Sequence, residues 1–292
     1  MFIVPRPLLA PLALVVAATL WGVVWYPYRL LEAAGLSGQL ATLLTYVVAL
    51  LVMLAIYRPG RSGGHRGLLL VVSLTAGWTN LAYVLAVIGG EIMRVLLLFY
   101  LAPLWTVLFA RLLLGERAGA WGALVIAMAL AGAVVMLHNP ADPWPLPASA
   151  AEWLGLSAGV TYALSNVLSR RLKQVSTARR SVWIFAGVLA ITAWPAAGEA
   201  VPVLAGLGAG GYGLLLLTGL ALVLATLCAQ YGLAHTPANR AIVILLSELL
   251  AAAVSSWYWA GEVMTPREWL GGGLIVAASL LSGKLERGEN HA

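Results

Sequence analysis

The chain has 292 residues, of which 62% are hydrophobic and only 10% charged, against about a quarter charged in ordinary soluble domains. Its mean hydropathy is +0.93, and its single cysteine, Cys228, rules out a disulfide scaffold. A polytopic membrane protein remains, with ten spans of about 20 residues each and no room for a separate soluble domain.

The block lengths choose helices over a barrel, because barrel strands alternate apolar and polar residues in segments of about ten. Arg6 and Arg29 bracket 22 uncharged residues, Glu32 and Arg58 bracket 25, and Arg66 and Glu91 bracket 24. The apolar run after Arg6 exceeds the core of a cleavable signal and reads as a retained first span. Spans are expected at 8–31, 37–57, 67–88, 92–113 and 119–138. A second set is expected at 151–171, 181–197, 210–233, 239–260 and 267–284. The stretch from Ala200 to Asn239 is uncharged. Pro202, Gly206, Gly208, Gly210 and Gly211 mark its first part as a loop and leave one helix after it.

Basic residues of short loops favour the cytoplasm. With the N-terminus inside, the inner segments hold 14 of the 17 Lys and Arg residues, and the outer side holds only Arg29, Arg94 and Arg267. The same outer side collects Glu32, Glu91, Asp142, Glu152, Glu199, Glu262 and Glu268. The net charge of +6 therefore follows from topology and anionic inner-leaflet lipid, not from nucleic acid.

The two halves, 1–140 and 150–285, read as repeats of five spans each. A shift of 146 residues lays Leu101-Ala102-Pro103 on Ser247-Glu248-Leu249, Gly115-Glu116 on Gly261-Glu262, and Arg94 on Arg240. A slightly different shift lays Trp21-Gly22 on Tyr162-Ala163 and Arg29 on Arg170. An odd number of spans per repeat inverts the second relative to the first, the architecture of secondary transporters with a midplane site.

Leu20-Trp21-Gly22, Pro103 leading to Leu114-Gly115-Glu116, and Gly122 to Gly132 carry a resemblance. So do the Ser247-Glu248 to Gly261-Glu262 run and the glycines 271–273. In their order and spacing the chain resembles the drug/metabolite transporter superfamily, in its ten-span EamA-type branch, over nearly its whole length. The resemblance implies export of a small metabolite, with the aromatic amino-acid exporters as the point of comparison. Leu249 stands where that family often has proline, which removes the reason for a matched kink in span 9.

Glu248 is the one acid placed inside a span, which makes it a functional hypothesis by default and a candidate proton carrier. The plainer reading is a helix residue facing inner water. Arg94 and Arg240, mirror-placed at the starts of spans 4 and 9, are candidates for gating or for holding solute carboxylates, or else anchors with snorkelling stems. Trp21, Trp25, Asn80, Tyr83, Tyr100, Trp105, Tyr162, Asn166 and Gln230 are candidate lining for an amphipathic cavity suited to an amino acid or similar solute. Each has ordinary helix packing as its alternative. Pro27 and Pro103 are expected to kink their spans. Gly155, Gly159 and Ala163 form a small-residue stripe for close helix contact.

Gly155-Leu156-Ser157-Ala158-Gly159 matches the nucleophile-elbow string but lies inside a membrane helix, away from His65, His138, His235 and His291, so enzyme chemistry is not expected. The sequence offers no metal motif, no P-loop and no cofactor signature. The expected partners are a small-molecule substrate, the lipid bilayer and protons. The expected location is a bacterial inner membrane with both termini cytoplasmic. Alternating-access export of amino acids, aromatic or otherwise hydrophobic, is the leading expectation. Efflux of organic cations, which needs Glu248, is the alternative, and an intramembrane serine enzyme the remote one.

Overall fold

The computed structural model describes residues 6–57, 64–115, 120–138, 146–172, 174–197, 204, 206–236, 241 and 244–288. Among these, every regular element is helical, as expected where lipid cannot satisfy backbone polar groups. Span 1 is two helices, α1 (Arg6–Val23) and α2 (Trp25–Ala33); spans 2 and 3 are α3 (Gly38–Ile56) and α4 (Arg66–Gly89). Span 4 is α5 (Ile92–Phe99), α6 (Ala102–Phe109) and a π-turn over Ala110–Leu114, and span 5 is α7 (Ala120–Leu137). In the second half, α8 (Ala150–Ser169), α9 (Thr177–Ala196) and α10 (Ala209–His235) form spans 6 to 8. The described part of span 9 is α11 (Ser247–Ser255) with a π-turn over Ser256–Ala260, and span 10 is α12 (Pro266–Gly288). Among the described residues, five stretches are long and apolar enough alone to cross a membrane: Leu8–Ala33, Gly38–Ile56, Arg66–Gly89, Ile92–Leu114 and Ala209–His235.

The breaks have local causes. Proline lacks an N–H and clashes with the carbonyl four residues back. For Pro27 that residue is Val23, where α1 ends, and for Pro103 it is Phe99, where α5 ends. Span 9 breaks too: Leu246 forms a turn before α11, and Leu249 N–H bonds to Leu246 O at 3.1 Å. The interruption thus survives with leucine at 249, against the expectation from sequence. Spans 4 and 9 also end alike, each π-turn closed by a left-handed glycine, Gly115 at φ 72° and Gly261 at φ 67°. These glycines lie 146 residues apart, and an L-residue would be strained at either.

Packing follows a two-fold exchange of span n with span n+5. Spans 3 and 6 pack together, as do spans 8 and 1. The pairs 3–7 and 8–2 correspond, as do 4–6 and 9–1, while 2–7 and 5–10 map onto themselves. Directions follow from named contacts. Gly155 abuts Val95 and Gly159 abuts Phe99, so span 6 runs parallel to span 4. Trp78 bonds Ser157 at 3.3 Å and Ser165 reaches Val72 O at 3.5 Å, so span 6 runs antiparallel to span 3. Span 6 therefore points opposite to span 1, and the repeats are inverted. On the axis itself, a Cβ on Gly132 would lie 2.6 Å from Gly271 O, and one on Gly271 would lie 2.6 Å from Gly132 O.

Large apolar side chains cover the outside, as a lipid-facing surface requires. Trp194, Trp257, Tyr258 and Trp269 are all exposed and sit at the end of the bundle that carries the C-termini of spans 7 and 9, an aromatic belt at one interface.

Candidate functional site

Two polar clusters occupy different depths. The first lies at the end where spans 1, 3 and 9 finish and spans 4, 6 and 10 begin. Arg94 on α5 pairs with Glu152 of α8 at 3.1 Å, Glu268 of α12 at 3.6 Å and, within its own turn, Glu91 at 4.0 Å. Both partner acids close the first turn of their own helices, Glu268 in a reciprocal capping box with Thr265 and Glu152 by reaching the residue before the N-cap Ser149. Ser149 Oγ accepts from Glu152 N–H at 3.2 Å, and Glu152 Oε2 accepts from Ala148 N–H at 2.9 Å. Thr265 Oγ1 accepts from Glu268 N–H at 3.3 Å, and Glu268 Oε2 accepts from Thr265 N–H at 2.8 Å. Each carboxylate is thus fixed by its own helix before it meets Arg94.

Beside this lies Arg29, which donates to Val87 O at 2.8 Å and Gly90 O at 2.5 Å and approaches Glu262 at 3.7 Å. Glu262, from the end of span 9, accepts from Ile92 N–H at 2.9 Å and Met93 N–H at 3.3 Å. A carboxylate at the positive end of α5 is favoured by the free N–H groups and the helix dipole. Burial nonetheless dominates at Glu262 and lifts its pKa above the ordinary carboxylate value, against the lowering by those amides and Arg29.

The second cluster lies inside the bundle. Tyr100 donates to Glu248 Oε2 at 3.0 Å. Phe99 is the hub of the surrounding rings, with Tyr162 at 5.2 Å, Tyr83 at 5.8 Å and Tyr100 at 6.0 Å. Through Phe99, the rings of Tyr83 and Tyr162 join the Tyr100–Glu248 pair. Close helix approach builds this arrangement. A Cβ on Gly22 would stand 2.6 Å from Glu248 O, and one on Gly159 would stand 2.6 Å from Phe99 O. Among the described residues, no Lys or Arg pairs with Glu248. The Tyr83 hydroxyl is buried without a partner, although an unmade buried hydrogen bond costs about 1–3 kcal/mol. Tyr162 keeps 45% of its surface exposed even though its ring meets Phe99. Asn166, one turn on, is exposed as well.

The other expected lining residues are placed differently. Trp25 is buried between spans 1 and 9, donating to Ser255 Oγ at 3.0 Å, with the Arg29 guanidinium 5.2 Å above its ring. Asn80 accepts from the Tyr46 hydroxyl, and Gln230 donates to Ser181 Oγ. All three serve as bonds between spans. Trp21 packs half-buried against the main core, and Trp105 packs with α7 and leaves its buried Nε1 without a partner. Arg240 lies outside the described residues. Phe99 gave no signal in the sequence beyond its hydrophobicity. The capping acids did, since Ser149-x-x-Glu152 and Thr265-x-x-Glu268 are legible patterns. Ser157 donates to Leu154 O at 2.8 Å and accepts from Trp78, with no base in contact. Among the described residues, no group of His, Cys, Asp and Glu is arranged for a metal.

A helical bundle with inverted repeats, an ion-paired end and a polar cluster drawn from both halves has the architecture of a ten-span membrane transporter. The chain belongs to the EamA-like transporter family, which matches it twice, over residues 8–138 and 149–283. It is a transporter and not an enzyme. It is 26% identical over 204 residues to an uncharacterized transporter of Archaeoglobus fulgidus, covering 70% of this chain and 72% of that one. It is 30% identical over 210 residues to a riboflavin transporter of Rhizobium johnstonii, covering 68% of this chain and 64% of that one. A protein known from a crystal structure shares the fold, with a TM-score of 0.60 at 19% identity over 95% of this chain and 98% of the other.

Proposed function

We propose that this transporter exports small metabolites, amino acids first among them and aromatic or other hydrophobic ones in particular, by alternating access between the halves 1–140 and 150–285. The observation that carries the reading is the interior cluster of Tyr83, Tyr100, Tyr162 and Glu248, drawn from spans 3, 4, 6 and 9 and hence from both halves. A site shared across an inverted repeat is opened to either side by rocking one half against the other. The Arg94 and Arg29 ion pairs join spans 1, 4, 6, 9 and 10 at one end, which supports their role as the closed gate of one state. By the distribution of basic residues that end faces the periplasm of a bacterial inner membrane, with both termini cytoplasmic, and Glu248 is the candidate for exchanging protons. A second reading is a flat heterocyclic solute, favoured by the relative named a riboflavin transporter.

Counterflow in proteoliposomes holding only this protein tests both. Labelled phenylalanine or tryptophan is expected to accumulate against an unlabelled internal pool and riboflavin is not. Accumulation of riboflavin alone establishes the second reading. Absence of flux for every solute overturns transport of either class.

A further inference from the structure

The interior cluster carries a statement about which part of a solute it holds. Glu248 is a carboxylate with one hydrogen bond, from Tyr100, and no cationic partner among the described residues. A carboxylate away from bulk water is stabilised by protonation or by a cation, and among the described residues no cation is placed to serve Glu248. The groups around it are π-faces. Phe99 and Tyr162 lie 5.2 Å apart with their planes tilted by 49°, and Tyr83 and Tyr100 meet the edges of the same hub. A carboxylate joined through Tyr100 to a cluster of aromatic rings combines the two features that recognise an ammonium group, ring quadrupoles and a counter-charge. The Tyr83 hydroxyl, 92% buried and without a partner, supplies an unused polar atom at the same place. A solute carboxylate would be repelled by the Glu248 carboxylate, with the Tyr83 hydroxyl as the donor left free to offset it.

We propose that Glu248, Tyr83, Phe99, Tyr100 and Tyr162 form the subsite for the protonated amine of an aliphatic or aromatic amine-bearing solute. The inference rests on the transport reading above and narrows it: the amine is the recognised group, and a solute carboxylate is not needed there. An amino acid and an organic cation then enter by the same end, and a deaminated acid does not.

The test is equilibrium binding of tritiated 2-phenylethylamine to the purified full-length protein in lipid nanodiscs, with phenylalanine, 3-phenylpropionate and riboflavin as competitors. Saturable binding is expected, displaced by phenylalanine and left untouched by 3-phenylpropionate and riboflavin. Glu248→Gln is expected to weaken it by about tenfold or more, since a hydrogen-bonded charge pair is lost, and Glu248→Asp to recover part of that loss. If Glu248→Gln fails to fold, Tyr100→Phe, which removes only the donor to the carboxylate, is expected to weaken binding severalfold. Absence of saturable binding overturns the proposal. So does displacement by 3-phenylpropionate at the concentration of the amine, or unchanged affinity in folded Glu248→Gln. Binding of the amine without counterflow defeats the transport reading alone. Counterflow of 3-phenylpropionate or riboflavin, indifferent to Glu248→Gln, defeats the amine subsite alone.

Discussion

Over the parts described, spans 4 and 9 are the same backbone written twice and different chemistry written once. Each breaks near its middle, at Tyr100–Leu101 and at Leu246, resumes as a short helix, and ends in a π-turn closed by a left-handed glycine. Their side chains part company at the break: Ala102 stands in span 4 where Glu248 stands in span 9. Span 4 in return contributes Phe99 and Tyr100, the hub ring and the donor to that same carboxylate. Repetition therefore governs the frame, where two equivalent hinges are useful. In the proposed solute site one anion suffices, and a second would repel the first.

The comparison is most severely tested where each repeat's first span meets the other repeat's fourth. Gly22→Leu pushes a side chain into Glu248 O, and Gly159→Leu pushes one into Phe99 O. Overpacking of this kind costs about 1–3 kcal/mol. Thermal unfolding in detergent is expected to show a comparable drop for both. A large drop in one and none in the other would mean the repeats do not share their load. A step smaller, Gly115→Ala and Gly261→Ala each place a Cβ at positive φ, for about 1–2 kcal/mol. The two are expected to lower the midpoint by matching amounts, since no neighbouring atom lies within 4 Å of either Cβ position.

The smallest effect sharpens the difference between the spans. Burial raises the pKa of Glu262, so the folded protein holds that proton at a pH where the unfolded chain has released it. The contribution to stability is greatest below the unfolded value and falls as pH rises through the interval up to the raised one. A shallow loss of thermal stability is expected over that interval, and Glu262→Gln, which keeps an acceptor for Ile92 N–H, is expected to flatten it. A slope of the opposite sign would show that Arg29 and the α5 amides outweigh burial. Glu116, the matching acid of span 4, lies outside the described residues.

Much of the frame is legible in the sequence, because a membrane span advertises itself by an uninterrupted apolar run and its ends by charge. The Gly-Glu pairs at 115–116 and 261–262 point to the matched ends of spans 4 and 9, and the glycine stripe at 155 and 159 points to the contact with span 4. Harder to read is which face a polar residue presents. Trp25, Asn80 and Gln230 resemble lining residues yet are spent on bonds between helices, because a lone polar group in lipid seeks any partner within reach. Tyr83, Tyr100 and Tyr162 look no different in the sequence, and only the meeting of four spans separates the two uses. The Leu246 break shows a further limit. Proline is neither necessary to break a membrane helix nor sufficient, since Pro11 sits inside α1 and Pro195 inside α9, and packing against Gly22 holds the segment after Leu246 in place without it.

Nearly all the strong helix contacts run from one half to the other: 3 with 6, 3 with 7, 1 with 8, 1 with 9, 5 with 10. Neighbours along the chain touch far less. Either five-helix piece alone would expose to lipid the small-residue and hydroxyl faces that its counterpart now covers. The molecule is thus less two modules joined by a linker than a covalently tethered pair whose halves must find each other in the bilayer. The tether at 139–149 makes that search intramolecular, and it permits the partners to diverge without ever having to recognise copies of themselves.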